Sequence, residues 1–324
     1  MPSPPPISSK VQSTRWSTCR RRNRQLVVDI FSIDSLTDGH IAAILDRADL
    51  HLAANRESRR STTLRDKIVF NLFYENSTRT LMSFATAAHR LGASVVTLPV
   101  GQSSVKKGET LADTARTLGA MRPDAIVIRH PETGAPSRVA ELVDAPVLNA
   151  GDGTNEHPTQ ALLDAATLRA HFGRVDGLTV AICGDIRHSR VAHSNALLLP
   201  RLGANVRLAG PLELMPDELS ARPTVDDAIA GADVVMMLRV QRERLDRDLG
   251  DGPGEYLSRY GLTAERLRRA APNAVVMHPG PMNRGIEIED SVADDQQRSL
   301  ITRQVEYGVA VRMACLELAA GAID

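Results

Sequence analysis

Short apolar runs recur along this chain, each followed by a segment whose apolar residues keep helical spacing, and that alternation leaves few architectures open. Ile68–Phe73 reads as a buried strand, and residues 78–91 follow with Leu81, Phe84, Ala85 and Ala88 on one helical face. Residues 95–98, 125–128 and 147–148 read as further strands, with helices around 111–118 and 137–142 between them. Ahead of them, Thr37 can cap a helix whose apolar face is Ile41, Ile44, Leu45, Ala48 and Leu52. A strand–helix–strand rhythm of this kind predicts a parallel sheet covered by helices on both faces.

After a longer helix around 159–171 the rhythm restarts, with strands expected at 180–183, 206–209, 234–238 and Val275–Met277 and a last helix at 305–318. The expected fold is therefore α/β, with two doubly wound parallel-sheet domains of similar size joined by crossing helices. A chain of 324 residues is long enough for two such cores. Aromatic residues are only 3% of it, so those cores must be built from Ala, Val, Leu and Ile, which suits helices on a parallel sheet. The expected layout is a tail at 1–25, a first domain at 26–158, a second at 159–302 that includes the linking helix, and a helix at 303–324 packing back on the first. Residues 242–260, with Gly250, Gly252, Pro253 and Gly254, read as a long polar loop.

The formal net charge is zero, which supplies no field for gathering nucleic acid or an anionic membrane, and neither is expected as a partner. Three cysteines (Cys19, Cys183, Cys315) are too few and too scattered for a disulfide framework or a Cys-ligated zinc site, and a cytoplasmic setting is expected. No apolar run approaches the length of a membrane span. Residues 1–28 stand apart: Lys10, Arg15, Arg20, Arg21, Arg22 and Arg24 are there without a single acid. With prolines at 2, 4, 5 and 6 this stretch is expected to be a disordered basic tail. It shares the composition of a transit peptide, but the early prolines spoil the amphipathic helix such peptides use.

In open parallel sheets, ligands bind beyond the carboxyl ends of the strands, and the unusual residues of this chain fall there. The first strand runs into Glu75-Asn76-Ser77-Thr78-Arg79-Thr80 and then a helix. A capping hydroxyl, free N–H groups at the positive helix end, further hydroxyls and a guanidinium make an anion cradle suited to phosphate. A single Ser or Thr there would be no more than a good helix cap. The spacing is not that of a Walker loop. The third strand ends in Arg129-His130-Pro131 and the fourth leads to His157-Pro-Thr-Gln160, placing carbonyl-oxygen donors at adjacent strand ends. Lys106 and Lys107 sit in a polar loop, where a solvated charge pair is the plain alternative. In the second half, Gly184-Asp-Ile-Arg-His-Ser-Arg190 and Arg239-Val-Gln241 leave strands. Gly184 alone makes no dinucleotide fingerprint, and no acid ends the next strand to hold a ribose.

These motifs give the chain a resemblance to the aspartate carbamoyltransferase catalytic chains of the aspartate/ornithine carbamoyltransferase superfamily, from about residue 26 to the end. Ser-Thr-Arg-Thr (77–80), Lys-Lys-Gly-Glu-Thr (106–110), Arg-His-Pro (129–131), His-Pro-Thr-Gln (157–160), Arg-Val-Gln (239–241) and His-Pro-Gly-Pro (278–281) occur in the family's order. The resemblance implies that carbamoyl phosphate and L-aspartate become N-carbamoyl-L-aspartate and phosphate, the second step of pyrimidine biosynthesis. It implies that Ser77, Thr78, Arg79 and Thr80 hold the phosphate, and that Thr80, Arg129 and His157 polarise the carbonyl. Gln160 and the backbone carbonyls near Gly280 and Pro281 would take the amide nitrogen. Arg190, Arg239 and Gln241 would clamp the aspartate carboxylates, Lys107 would enter from a neighbouring subunit of a homotrimer, and Glu75 would bridge to Arg190 and Arg244 to hold the domains closed. Neither metal nor cofactor is implied.

Two other readings follow from the same residues. The ornithine branch shares the Ser-Thr-Arg-Thr turn but typically carries a Cys in a His-Cys-Leu-Pro motif, where this chain has His278-Pro279-Gly280-Pro281. Arg190 and Arg239 would also serve a cationic amine poorly and a dicarboxylate well. The other reading is a degenerate, non-catalytic homologue acting as a scaffold beside a dihydroorotase; the intact polar positions speak against it. Association with dihydroorotase or regulatory chains, as in some relatives, is left open by the residues.

Overall fold

The computed structural model describes residues 27–98, 100, 107–217, 223–240 and 254–323. The basic tail, Lys106, Gln241 and Arg244, each singled out above, lie outside them.

Two four-stranded sheets, every pairing parallel, organise the chain. The first contains β1 (Ile68–Phe73), β2 (Ser94–Leu98), β3 (Ala125–His130) and β4 (Val147–Asp152) in the order β2-β1-β3-β4. The second contains β5 (Thr179–Cys183), β6 (Asn205–Ala209), β7 (Val234–Met237) and β8 (Val275–Met277) in the equivalent order β6-β5-β7-β8. In each, the chain moves one strand to one side and then returns to build on the other. The point of reversal therefore lies between β1 and β3 in the first sheet and between β5 and β7 in the second. At such a point the loops leaving neighbouring strands diverge and open a crevice. The register pairs aliphatics across the strands: Val69 faces half-buried Val95 and buried Ala125, and Val180 faces half-buried Val206 and buried Val234.

The helices are α1 (Asp38–Arg56), α2 (Thr78–Arg90), α3 (Leu111–Ala120), α4 (Ala135–Ala140), α5 (Pro158–Phe172), α6 (Arg190–Arg201), α7 (Val225–Ile229), α8 (Glu255–Tyr260), α9 (Ala264–Leu267), α10 (Asp290–Ala293) and α11 (Ile301–Ala319). Thr37 caps α1, its hydroxyl accepting from His40 N at 3.1 Å, a contact that stabilises a helix by about 1 kcal/mol. The buried face of α1 includes Ile41, Ile44, Leu45, Ala48 and Leu52, as the spacing requires.

Two helices knit the halves together. From Pro158 to Leu168 every residue of α5 is buried, the polar Thr159, Gln160, Asp164 and Thr167 included. It packs on α1 and α11 on one side and on α6 on the other, while α11 packs on α1, α2 and α5 and reaches β8. One continuous core consequently runs from Val69 and Leu148 through Leu162 and Leu163 to Val180, Val234 and Met277. Separate clusters cover the remaining sheet faces, around Ile126, Ile128 and Val139 in the first half and Ala181, Val235 and Ile288 in the second.

Three local readings of the sequence need correction. The stretch 242–260 is not loop throughout, because Glu255–Tyr260 forms α8. Gly254, with φ +83°, starts that helix, and Tyr256 buries its ring with Leu214 and Val240. Helix α6 went unread because its buried face mixes Ser194 and Asn195 with Ala192, Leu198 and Leu199, which blurs the apolar period. His157 and Gln160 do not sit at a strand end: β4 finishes at Asp152, and a turn delivers His157 as the N-cap of α5 with Gln160 in its first turn.

Candidate active site

The four loops that leave the two reversal points face one cleft of about 490 Å³, a size suited to small ligands. From the first sheet come the start of α2 after β1 and the end of β3; from the second come the start of α6 after β5 and the segment following β7. The loop after β8 and one face of α11 complete the wall.

Ser77 is the N-cap of α2, in extended conformation, and its hydroxyl accepts from Thr80 N at 3.4 Å. Thr78 and Arg79 are exposed to the cleft, whereas Thr80 is buried. Arg79 makes no ion pair among the described residues, so its guanidinium and the helix end together present unspent donors. Gly280 explains how the chain passes so near it. At φ +68° and with Arg79 Nε only 2.8 Å from where a Cβ would stand, only glycine fits. Gly151, at φ +116°, bears the same relation to Arg190, whose Nε lies 2.9 Å from the position of its absent Cβ.

Arg129 donates to Ala150 O at 3.3 Å and lies 3.5 Å from Glu75 Oε2. Glu75 makes a shorter contact with Arg190, 2.8 Å from Oε2 to Nη1, and the same nitrogen donates to Gly153 O at 3.2 Å. One carboxylate thus ties a loop of the first sheet to the first residue of α6 in the second half. His157 is buried; its backbone N–H donates to Ser194 Oγ at 2.9 Å and its Nδ1 has no partner among the described residues. Burial holds its pKa well below the usual imidazole value, and the charges of Arg312, Arg129 and Arg190 push the same way. The ring is therefore neutral at pH 7, with one N–H to donate.

Electrostatically the cleft is one-sided. Arg79, Arg129, Arg190, Arg239 and Arg312 line it, and no carboxylate does among the described residues. Such a site selects anions, and in a sheltered crevice the guanidinium field is stronger than on an open surface. Among the described residues no cluster of three or more His, Cys, Asp or Glu could hold a metal ion.

Residues 28–170 match the family profile described as the carbamoyl-P binding domain of aspartate/ornithine carbamoyltransferase, and residues 176–319 match its Asp/Orn binding domain. The chain belongs to the aspartate/ornithine carbamoyltransferase family. Within it, the chain is 58% identical to the aspartate carbamoyltransferase catalytic subunit of Rhizorhabdus wittichii over 88% of its own length and 92% of the relative's. Among solved structures it resembles aspartate transcarbamoylase from Trypanosoma cruzi in complex with carbamoyl phosphate, with TM-score 0.80 and 33% identity over 91% of this chain and 97% of that one. Ornithine carbamoyltransferase from Pyrococcus furiosus superposes equally well, with TM-score 0.81 and 27% identity over 91% and 98%. The backbone is common to both branches of the carbamoyltransferases, so side chains must separate them.

Of the residues singled out in the sequence, Ser77, Thr78, Arg79, Thr80, Arg129, His157, Gln160, Arg190, Arg239, Gly280 and Pro281 meet in this carbamoyltransferase cleft. Lys107 does not: it is exposed and stands outside the lining of its own chain's cleft. Among the lining residues missed were the polar side chains of Ser83 on α2 and of Gln304 and Arg312 on α11. Arg312 is buried, donates to Ser83 Oγ at 2.9 Å and stacks over the Phe84 ring at 5.2 Å. A lone Arg between Val311 and Met313 in an apolar helix was the signal available, since arginine is rarely buried without a task.

Proposed function

We propose that this chain is an aspartate carbamoyltransferase, which transfers the carbamoyl group of carbamoyl phosphate to the amine of L-aspartate and so performs the second step of pyrimidine biosynthesis. The observation that carries this reading is the cleft wall of five arginines with no carboxylate among the described residues, which suits a phosphate and a dicarboxylate together and opposes a cationic amino acid.

In this reading Ser77, Thr78, Arg79 and Thr80 bind the phosphate at the start of α2. Thr80, Arg129 and neutral His157 donate to the carbonyl oxygen, and Gln160 with the backbone of Gly280 and Pro281 accepts from the carbamoyl NH2. Arg190, Arg239 and Gln241 hold the aspartate carboxylates. The amine attacks the carbamoyl carbon, a C–N bond forms, the C–O bond to phosphate breaks, and phosphate departs with the bonding pair while the amine sheds a proton. Negative charge gathers on the carbonyl oxygen on the way, where the donors of Arg129, Thr80 and His157 stabilise it. Alignment of two small anions and that stabilisation supply the catalysis.

The exposed position of Lys107 fits a homotrimer in which it serves the neighbour's cleft together with that chain's Arg79. Residues 26–158 with the helix at 303–324 form the carbamoyl phosphate side in this proposal, and residues 159–302 the aspartate side. A cytoplasmic location accords with the lack, among the described residues, of any helix long and apolar enough to cross a membrane. The test is turnover of carbamoyl phosphate with either amino acid. Aspartate should be carbamoylated, succinate should compete with it, and ornithine should be inert; comparable rates with ornithine would place the chain in the other branch.

A further inference from the structure

Behind the cleft lies a carboxylate that no step above uses. Asp164, on α5, has no exposure to solvent, yet three side-chain amides converge on it. Its Oδ1 accepts from Gln160 Nε2 at 3.0 Å and from Gln304 Nε2 at 2.8 Å, and its Oδ2 accepts from Asn195 Nδ2 at 2.8 Å. The donors come from α5, α11 and α6, so the cluster stands where the two halves of the molecule meet. Burial pushes the pKa of Asp164 up to about 6, against the pull of Asn195, Gln304 and Gln160; amide donors on both of its oxygens are the partners an ionised carboxylate takes.

Orientation is the consequence. A carboxamide has one acceptor end and one donor end. With Gln160 Nε2 committed to an acceptor-only carboxylate, the oxygen is the end left for the cleft that Gln160 lines. Gln304 is fixed at both ends, because its Oε1 accepts from the backbone N–H of His278 at 2.9 Å. That contact anchors the first residue after β8, from which the chain runs on to Gly280 and Pro281, which also line the cleft.

Resting on the carbamoyl phosphate reading above, we propose that Asp164 is a positioning residue for recognition of the carbamoyl NH2: it holds the Gln160 oxygen toward that group and, through Gln304 and His278, sets the 278–281 segment whose carbonyls face it. One buried carboxylate thereby distinguishes an NH2 from an isosteric methyl.

The experiment compares dissociation constants for carbamoyl phosphate, acetyl phosphate and inorganic phosphate in the full-length enzyme and its variants. In Asp164→Ala the carboxamide of Gln160 loses its reference, so carbamoyl phosphate should bind about tenfold more weakly, the scale of one net hydrogen bond. Acetyl phosphate and inorganic phosphate, which offer no NH2, should bind as before. Gln160→Ala added to Asp164→Ala should cost nothing more, because the two act as one unit. Asp164→Asn, which keeps the shape, should retain the wild-type preference: its own oxygen can serve Gln160 and Gln304, and only the Asn195 contact is given up, Asn195 Nδ2 keeping its hold on Val191 O at 3.0 Å. A preference that survives Asp164→Ala, a parallel loss for all three ligands, or a collapse in Asp164→Asn overturns the proposal. A wild-type enzyme with no preference for carbamoyl over acetyl phosphate overturns the reading of the site, and the proposal with it.

Discussion

Arg79 stands at the open end of α2 with its guanidinium unpaired among the described residues and its flank against Gly280. In the proposed reading, removing it deletes a charge-assisted phosphate contact at the very place where the helix end supplies only partial charge. Arg79→Ala should lower kcat/KM for carbamoyl phosphate by about 10²–10³, the range for one oxyanion-type donor. Near-normal kinetics in the folded variant would remove the phosphate from this end of the cleft. His157 makes a separate prediction through pH. Its pKa in the folded protein lies well below 6.5, so between that value and 6.5 the unfolded chain binds the proton and the folded one does not. Stability must therefore rise with pH through this window and fall as the solution is acidified below 6.5. His157→Asn should lose less stability on the same acidification in a denaturant titration series, and the wild-type rate should show no His157 limb at or above pH 6.5. A limb there that disappears in the variant would mean the ring is charged when it works.

The polar residues of the cleft were legible because they interrupt apolar strands at their carboxyl ends, where the sequence changes character abruptly. Ser77–Thr80 and Arg129 belong to that class. Gln304, Arg312 and Ser83 do not: they lie inside helices, and helical periodicity says which face is buried without saying that the face borders a cleft. For the same reason the strands were legible to within a residue or two, except β4, which runs four residues past its expected end at Leu148, while α6, whose buried face is half polar, was not legible. Glu75 gives the element scale its prediction. Its contacts of 2.8 Å to Arg190 and 3.5 Å to Arg129 span from the end of β1 to β3 and to the start of α6. Glu75→Ala leaves Arg190 with the Gly153 carbonyl as a remaining hold. The aspartate side should suffer more than the phosphate side: kcat/KM for aspartate should fall about tenfold or more, the usual consequence of breaking a largely desolvated pair. The affinity for inorganic phosphate should stay near wild type. Unchanged aspartate kinetics would show that the tie between the two halves does not align Arg190.

At the scale of the whole molecule, α5 and α11 make the two sheets one body, and the lysine that the sequence motifs point to stands apart from the cleft they back. Lys107 lies outside the lining of the cleft built by its own chain, although Arg79 lines it. If the proposed trimer shares its sites, each working site joins Arg79 of one chain to Lys107 of the next. Arg79→Ala and Lys107→Ala homotrimers should then each be nearly inactive, since every site in either lacks one of the pair. Chains of both kinds, denatured and refolded together in equal amounts, assort at random. A site is intact when a Lys107→Ala chain supplies Arg79 and its neighbour, an Arg79→Ala chain, supplies Lys107, so about a quarter of all sites in a cyclic trimer regain both groups. Activity should recover to about that fraction of wild type, and the recovery should follow the proportion of mixed trimers found by native mass spectrometry. A site assembled within one chain has no route to recovery at any mixing ratio. Mixed trimers with no more activity than the two parents would place Lys107 outside the chemistry and leave each cleft to its own chain.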